Sequence, residues 1–315
     1  MRPFAAIESV SKLHPLENST PFLLLGPTAV GKSDLAVAVA ERCGGEIVSA
    51  DAFQVYVGLD VLTAKPSTEL RARVPHHLIG EVPLIQSWDV AQWLDAARSR
   101  IADIHARGRT AIVVGGTGLY IRALTRGLAD IPPASPALRA ELAAQSLLEL
   151  QCRLAELDPE GVRHIDVKNP RRVIRALEVC LLTGRPFSSF REQWDVSPTG
   201  WRGIVLTRER DELYARIDRR TDEMFAAGVV DEVRAVGEVG PTASQTLGLR
   251  EIRAQLVGDI TRDECVAAIQ QATRRYAKRQ RTWFRREADF REVNLSAITD
   301  GHALADAIAR EVRGS

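Results

Sequence analysis

The chain has no cysteines in a C-x-x-C pair. Its four, Cys43, Cys152, Cys180 and Cys265, lie far apart in 315 residues. This spacing excludes a readable zinc ribbon or dithiol redox motif and predicts buried, reduced thiols in a cytoplasmic protein. No apolar run approaches the roughly 20 residues that a membrane helix needs. Residues Met1 to Thr20 carry both charge signs and no long apolar stretch, so they do not read as a secretory signal. A partly ordered tail is expected there. Charge of one sign is also lacking: 42 Lys and Arg against 41 Asp and Glu leave a net charge of +1. A nucleic-acid surface must therefore show itself by local clustering. There is no internal repeat and no low-complexity stretch. What is present, 45% hydrophobic and 26% charged residues, describes a soluble globular chain. Its length suits one large domain, or one core with a smaller insertion.

Strand and helix patterns alternate through the first third. Pro21 to Leu25 reads as a short buried strand ending at Gly26. Lys32 to Cys43 reads as a helix stopped by Gly44 and Gly45. Glu46 to Ser49 is a second strand. Val90 to Arg107 is helical, with Trp93, Leu94, Ala97, Ile101 and Ile104 on one face and Gly108 as the stop. Thr110 to Val114 is a further buried strand running into Gly115-Gly116. This alternation predicts an α/β fold, a parallel sheet with helices on both faces. After Ile131-Pro132-Pro133 the pattern becomes purely helical, from Ser135 to about Phe190. Ser135-Pro136, Asp158-Pro159 and Asn169-Pro170 are three N-cap-plus-proline helix starts. The expected organisation is a catalytic core over 20–130 and 200–315, with a helical insertion domain over 131–199. Gly203 to Thr207 reads as a strand returning to the sheet, and Asp211 as the cap of a helix to about Gly228. Thr261-x-x-Glu264 is a capping box opening a long helix to about Arg286.

Gly26-Pro27-Thr28-Ala29-Val30-Gly31-Lys32-Ser33 fits the P-loop pattern in full, between a predicted strand and a predicted helix. Glycines let backbone N–H groups approach a di- or triphosphate, and the following helix N-terminus favours anionic oxygens. Lys32 adds charge to the phosphates, and Ser33 is the expected protein ligand of Mg²⁺. P-loop NTPases also place a carboxylate at the end of an apolar strand. The strand Thr110 to Val114 ends instead in Gly115-Gly116-Thr117-Gly118. The strand that does end in a carboxylate is Ile47-Val48-Ser49-Ala50-Asp51, and that end faces the ligand crevice of an open parallel sheet. His76 and His77, in a proline-flanked loop, fit either the rim of a pocket or a structural pair; no histidine pair has metal-ligand spacing supported by other ligands.

In order and spacing, GPTAVGKS, SADAFQVYVGLDVLTAKP (Ser49 to Pro66), PHHLI (Pro75 to Ile79) and VVGGTGLYIRAL (Val113 to Leu124) resemble the tRNA dimethylallyltransferase family. So do NPRRVIRALEV (Asn169 to Val179) and RRYAKRQRTWFR (Arg274 to Arg285). The resemblance spans residues 22 to 290. It implies that dimethylallyl diphosphate lies with its diphosphate in the P-loop, and that the N6 amine of the adenine next to the anticodon on its 3′ side attacks the allylic carbon. It implies Asp51 as acceptor of a proton or hydrogen bond from that amine, with Thr28, Lys32, Ser33 and Mg²⁺ stabilising the leaving diphosphate. Asp51, Ala52, Phe53, Gln54 and Thr117 would border the adenine. Arg139, Arg172 and Arg175 match positions that touch tRNA. An anticodon-loop adenine must be unstacked at a cost of a few kcal/mol, so compensating contacts are needed. Arg171, Arg172 and Arg175 share about one helical turn and suit that role. Between Gln270 and Arg286 lie seven basic residues and no acidic one; Arg274, Lys278, Arg281 and Arg285 line one helical face, with Tyr276, Gln280 and Trp283 on another.

Two positions depart from the family pattern. Ala52 stands where serine is common, and Leu62 where glycine is common, which forbids an easy positive φ there. The zinc finger that eukaryotic relatives carry after the basic helix has no cysteines here, so the resemblance is to the bacterial form. The rival readings are a prenyltransferase acting on free adenylate, a P-loop nucleotide kinase, and a non-catalytic RNA-binding protein. The first needs neither basic segment, the second needs a carboxylate the glycine-ended strand lacks, and the third would not need Lys32, Ser33 and Asp51 intact. A monomer is expected, since no exposed apolar stripe stands out.

Overall fold

A computed structural model describes residues 20–194, 200–286 and 290–314. The tail expected at the N-terminus falls outside them, apart from Thr20. The described residues form two compact units, one of 20–121 with 200–286 and 290–314, and one of 122–194.

The larger unit is built on a six-stranded, all-parallel sheet. Its strands are β1 (Phe22–Leu25), β2 (Glu46–Ala50), β3 (His76–His77), β4 (Ala111–Gly115), β5 (Arg202–Thr207) and β6 (Arg291–Asn294), in the order β3-β2-β4-β1-β5-β6. β1 sits between β4 and β5, with Leu25 opposite both Gly115 and Val205. Both faces of the central strands are covered, so they read as continuous apolar runs, such as Phe22-Leu23-Leu24-Leu25, all buried. Side chains alternate between faces. Phe22, Leu24, Ile47, Ile112 and Ile204 join one core cluster with the helices Lys32–Cys43 and Gly301–Arg313. The helix Val90–Ala106 packs against β2 and β4 and buries Trp93, Leu94, Ala97, Ile101 and Ile104, the five residues its periodicity selects. Asp89 closes its N-terminus with a full capping box to Gln92. Trp93 donates its indole N–H to the Ser49 carbonyl at 2.9 Å and stacks on Tyr120 with centroids 4.4 Å apart.

The helix after β5 runs Arg210–Ala226 and corrects one expectation. Its N-cap is Glu209, without a side-chain cap, and Asp211 lies inside the first turn, where a carboxylate still meets the positive helix end. The long helix is Arg262–Phe284, opened by the Thr261–Glu264 capping box. Two short helices, Val229–Ala235 and Leu249–Leu256, start from Gly228 and Gly248, and the chain's last helix, Gly301–Arg313, covers the helix Lys32–Cys43.

Among its described residues the smaller unit has helices and no strand: Pro136–Ala143, Leu147–Leu157, Pro159–His164, Pro170–Thr183 and a 3-10 stretch Phe187–Trp194. Ser135, Asp158 and Asn169 are N-caps followed by proline. Leu142, Leu150, Leu154, Val173 and Leu177 form its core. Cysteine burial is narrower than expected. Cys180 and Cys265 are buried, but Cys43 is only half-buried and Cys152 is exposed on its helix; all four are free thiols.

Candidate active site

Parallel strands bring their carboxyl ends to one edge of the sheet, and Gly26, Asp51 and Gly116 all follow such ends. The P-loop turns there between β1 and the helix Lys32–Cys43. Gly31 has φ 106° and Gly26 has φ 149°; a side chain at Gly26 would place its Cβ 2.6 Å from the Leu206 carbonyl oxygen. Ala29 also takes a left-handed φ of 62°, a conformation that costs a non-glycine residue about 1–3 kcal/mol and marks a constrained loop.

Long-range cations brace this loop residue by residue. Lys32 Nζ donates to the Pro27 carbonyl at 2.7 Å. Arg220 Nη2 donates to Thr28 Oγ1 at 2.7 Å, Arg216 Nε to the Ala29 carbonyl at 2.9 Å, and Arg208 Nε to the Val30 carbonyl at 2.8 Å. Gln280, buried on the long helix, accepts the Thr28 N–H at 2.9 Å and donates to the Gly116 carbonyl at 2.9 Å. Three of these side chains, Lys32, Arg216 and Arg220, line a cavity of about 280 Å³ together with Lys65, Thr28, Ser33 and Asp51. Such a concentration of charge attracts an anion. Burial pushes the Lys32 ammonium down to about 7; attraction to Asp51 opposes the shift and Arg220 adds to it. Arg220 is likewise lowered by burial, with Asp51 opposing.

Asp51 follows β2 directly. Its Oδ1 accepts the N–H groups of Phe53 at 2.9 Å and Gln54 at 3.2 Å, which fixes the carboxylate's direction. Ala52 offers its backbone N–H to Thr117 Oγ1 at 3.2 Å, and Thr117 N–H reaches the Ala50 carbonyl at 3.2 Å. The fold therefore brings the two separated segments at Asp51 and Thr117 together, without a hydroxyl at position 52. Tyr276 also hydrogen-bonds Thr117; burial pushes its phenol upward and Asp51 pushes it further, so it stays protonated. Gln54 donates to the carbonyls of Thr63 at 3.2 Å and Ala64 at 3.1 Å and so anchors the following loop.

A second, mostly apolar cavity of about 60 Å³ opens from the same place. Thr28, Asp51, Thr63 and Arg220 line both cavities; Leu62, Met224, Phe225, Leu247, Ile252 and Ile269 close the apolar one. The positive φ in this loop falls at Ala64 (48°), so Leu62 is accommodated without strain.

The remaining expected site residues separate into two groups. In the helical unit Arg171 and Arg172 are exposed. Arg139 and Arg175 instead converge on buried Glu178: Arg139 Nη2 at 3.1 Å, Arg175 Nη1 at 2.5 Å, with the Ser135 N–H at 2.6 Å. Burial alone would raise the Glu178 carboxyl; hydrogen bonds from Arg175, Ser135 and Arg139 outweigh it and hold the carboxyl below its usual value. On the long helix Lys278 and Arg285 are exposed, Arg281 is half-buried, and Arg274 is half-buried and paired with Asp218 at 2.8 Å. Thr273, Ala277, Gln280 and Phe284 form its buried face. His76 and His77 have structural partners. His76 Nδ1 lies 2.8 Å from the Val74 carbonyl, and His77 Nε2 lies 2.8 Å from Glu46, a buried carboxylate also held bidentately by Arg107 at 2.9 Å.

The sequence reading missed Arg208, Arg216, Arg220 and Gln280. The i, i+4 spacing of Arg216 and Arg220 was visible, but nothing local links it to a loop nearly 190 residues earlier.

Residues 54–287 match the family model described as IPP transferase, and residues 20–79 match the model described as isopentenyl transferase. A tRNA dimethylallyltransferase of Akkermansia muciniphila is 44% identical over 289 residues, covering 92% of this chain and 98% of that protein. One from Caulobacter sp. is 48% identical over 288 residues, covering 87% and 93%. Among solved structures, a full-length tRNA isopentenylpyrophosphate transferase from Bacillus halodurans superposes with a TM-score of 0.68 at 36% identity, covering 94% of this chain and 96% of that one. A eukaryotic dimethylallyltransferase solved acting on tRNA shares the fold, with a TM-score of 0.79 at 24% identity and coverage of 94% and 79%.

Proposed function

Since the chain belongs to the IPP transferase family, we propose that it transfers a dimethylallyl group from dimethylallyl diphosphate to the exocyclic N6 amine of the adenine 3′-adjacent to the anticodon in tRNA, releasing diphosphate. The observation that carries this reading is the junction of two unlike cavities at Thr28 and Asp51. A cation-rich cavity suits a diphosphate, an apolar one suits a prenyl chain, and a carboxylate stands where they meet.

The chemistry assigned to the junction balances as a displacement. The amine lone pair forms a bond to the allylic carbon, and the carbon–oxygen bond breaks with its electron pair leaving on the diphosphate. The amine proton passes to the Asp51 carboxylate, a step worth about 10²–10⁴-fold for a positioned base. Lys32, Arg220 and the Thr28 hydroxyl face the growing charge on the leaving group, already held in place by the bonds described above. Phe53 and Thr117 border the adenine, and the Gln54 amide holds the loop beside it. Arg171, Arg172, Lys278 and Arg281 are the cations proposed to meet tRNA phosphates; Arg139 and Arg175 add the one net charge left after they share Glu178, and Arg274, whose charge Asp218 balances, adds N–H donors only.

The donor set fits Mg²⁺ carried chiefly by the diphosphate. Among the described residues no three His, Cys, Asp or Glu side chains cluster, whereas Mg²⁺ usually keeps several waters and takes one or two protein oxygens plus substrate phosphates. Ser33, lining the phosphate cavity, is the residue proposed to hold it, and the ion would supply charge neutralisation of the diphosphate. The protein is proposed to act as a cytoplasmic monomer; no helix among the described residues is long and apolar enough to cross a membrane. A nucleotide kinase reading fails on β4, which ends in glycines where a metal-holding carboxylate is needed.

Single-turnover transfer of labelled dimethylallyl diphosphate to tRNA tests the assignment of Asp51. Asp51→Asn should slow the step by about 10²–10⁴-fold and leave tRNA binding intact. Turnover near the unmodified rate would remove Asp51 from the role of base.

A further inference from the structure

We propose that the indole of Trp283 is the platform on which a base next to the extruded adenine stacks when tRNA is bound. The inference rests on the reading of the chain as acting on an anticodon-loop adenine. Taking that adenine out of the loop leaves its neighbours without a stacking partner, a loss that contacts on the protein must offset. A flat aromatic face beside a track of positive charge supplies such a contact whatever the base.

Trp283 lies in the last turn of the long helix, and Gly118 sets the attitude of its ring. A Cβ built on Gly118 would stand 2.4 Å from Trp283 Cδ2, 2.5 Å from Cε2 and 2.9 Å from Cε3. Cδ2 and Cε2 form the bond shared by the two rings, in the middle of the indole. They are the nearest atoms only if the glycine meets the flat face and not the rim. Gly118 has no left-handed φ, so the missing side chain there serves the ring and not the backbone conformation. Phe284 meets the indole at a right angle, with centroids 5.1 Å apart. The ring is still only half-buried. With one face laid on Gly118, the opposite face and the rim are what it offers to a ligand.

The platform stands beside the reacting groups. Gly118 follows Thr117, whose Oγ1 accepts the Ala52 N–H at 3.2 Å, one residue from Asp51. Gln280, one turn before Trp283, holds the Gly116 carbonyl at 2.9 Å. Exposed Lys278 and Arg285 and half-buried Arg281 surround the ring in sequence on the same end of the helix, where they suit the phosphates on either side of a stacked base.

The test measures dissociation constants of anticodon stem-loops without donor, so that no transfer occurs. Trp283→Leu should weaken binding by about fivefold or more, the lower bound for one stacked base, and leave the slope of log affinity against log salt unchanged, because stacking releases no counterions. Trp283→Phe, which keeps a flat ring, should stay within about threefold. Gly118→Ala pushes the ring from its seat and should behave like Trp283→Leu. The decisive comparison uses loops made abasic on the 5′ or the 3′ side of the adenine. One of them should bind the unmodified protein more weakly than the intact loop, and Trp283→Leu should erase that difference. If Trp283→Leu does not fold, indole emission is read instead, with Trp283→Phe as the blank for the other tryptophans; the intact loop should quench it and the same abasic loop should not. Abasic losses that are equal in the unmodified and variant proteins at both positions overturn the proposal, as does quenching by every loop alike. Failure of the unmodified protein to bind the intact loop would instead sink the reading on which the proposal stands.

Discussion

Gln280→Met removes a single buried amide and leaves the side-chain length almost unchanged. The Gln280 amide joins two segments of the phosphate site, accepting from Thr28 N–H and donating to the Gly116 carbonyl, each at 2.9 Å. Methionine does neither. The Gly116 bond is buried, so its carbonyl loses a partner that water cannot readily replace, at about 1–3 kcal/mol. The Thr28 bond is only partly buried, and water can compensate there, so its loss belongs at the low end of that range. The sum, about 2–4 kcal/mol, should lower the thermal midpoint by about 3–6 °C for a chain of 315 residues. The functional effect has a separate origin. Thr28 is pulled one way by Gln280 at its N–H and held by Arg220 at its hydroxyl, so losing one restraint lets it drift against the leaving group. A displacement on the order of 1 Å costs about 10²-fold in rate. The assays are thermal unfolding and steady-state transfer, with Gln280→Glu as the partner that keeps one acceptor. A Gln280→Met enzyme with the midpoint and kcat/KM of the unmodified protein would refute the claim that this amide holds the loop.

Protonation of Lys32 gives a pH prediction with a definite sign. With its ammonium pushed down to about 7, the empty site holds the amine neutral at pH 8. A bound diphosphate favours the ammonium, so binding dimethylallyl diphosphate without tRNA should take up a proton between about pH 7 and the ordinary lysine range. Calorimetry in buffers of different ionisation heat would detect it, and Lys32→Met should abolish it. The unfolded chain binds more protons in the same window, so this group makes the empty protein more stable as pH rises from about 7. In the helical unit, Glu178→Ala removes a buried carboxylate but leaves Arg139 and Arg175, 45% and 26% exposed, within reach of water, and should cost about 1–3 kcal/mol in denaturant unfolding. Because the folded Glu178 carboxyl lies below its ordinary value, its contribution is present at neutral pH and is lost as pH falls through the carboxylate range. Lys278→Ala should weaken tRNA binding and lower the slope of log affinity against log salt by about one; an unchanged slope would take that side chain out of the interface.

Local signals made much of this architecture legible. The P-loop, β2 ending in Asp51, and the helix carrying Trp93, Leu94 and Ala97 each declare themselves within about 20 residues by spacing and composition. Ser135, Asp158, Asn169 and Thr261 announce helix starts because a capping side chain is a sequence feature. The helices at Val229 and Leu249 start from glycines in left-handed geometry and give no such signal. β3 and β6 are short strands at the two edges of the sheet, too brief and too polar for an alternating pattern. The braces on the P-loop were illegible for another reason. Arg208, Arg216, Arg220 and Gln280 are ordinary surface residue types until tertiary folding carries them to carbonyls and amides far away in sequence. Arg139 and Arg175 show the converse. The resemblance gives them as tRNA-contact positions, and the fold adds a shared internal pairing with Glu178 that the i, i+3 spacing of Arg175 and Glu178 allows but that was not read from it.

Transfer and position are read together by incubating the protein with dimethylallyl diphosphate, Mg²⁺ and unmodified tRNA, with AMP as a competing acceptor. The products are then digested to fragments and weighed by mass spectrometry. The account predicts a dimethylallyl group on the adenine directly 3′ of the anticodon and none on AMP. Prenylated AMP with unmodified tRNA, or no prenylated product at all, would contradict it.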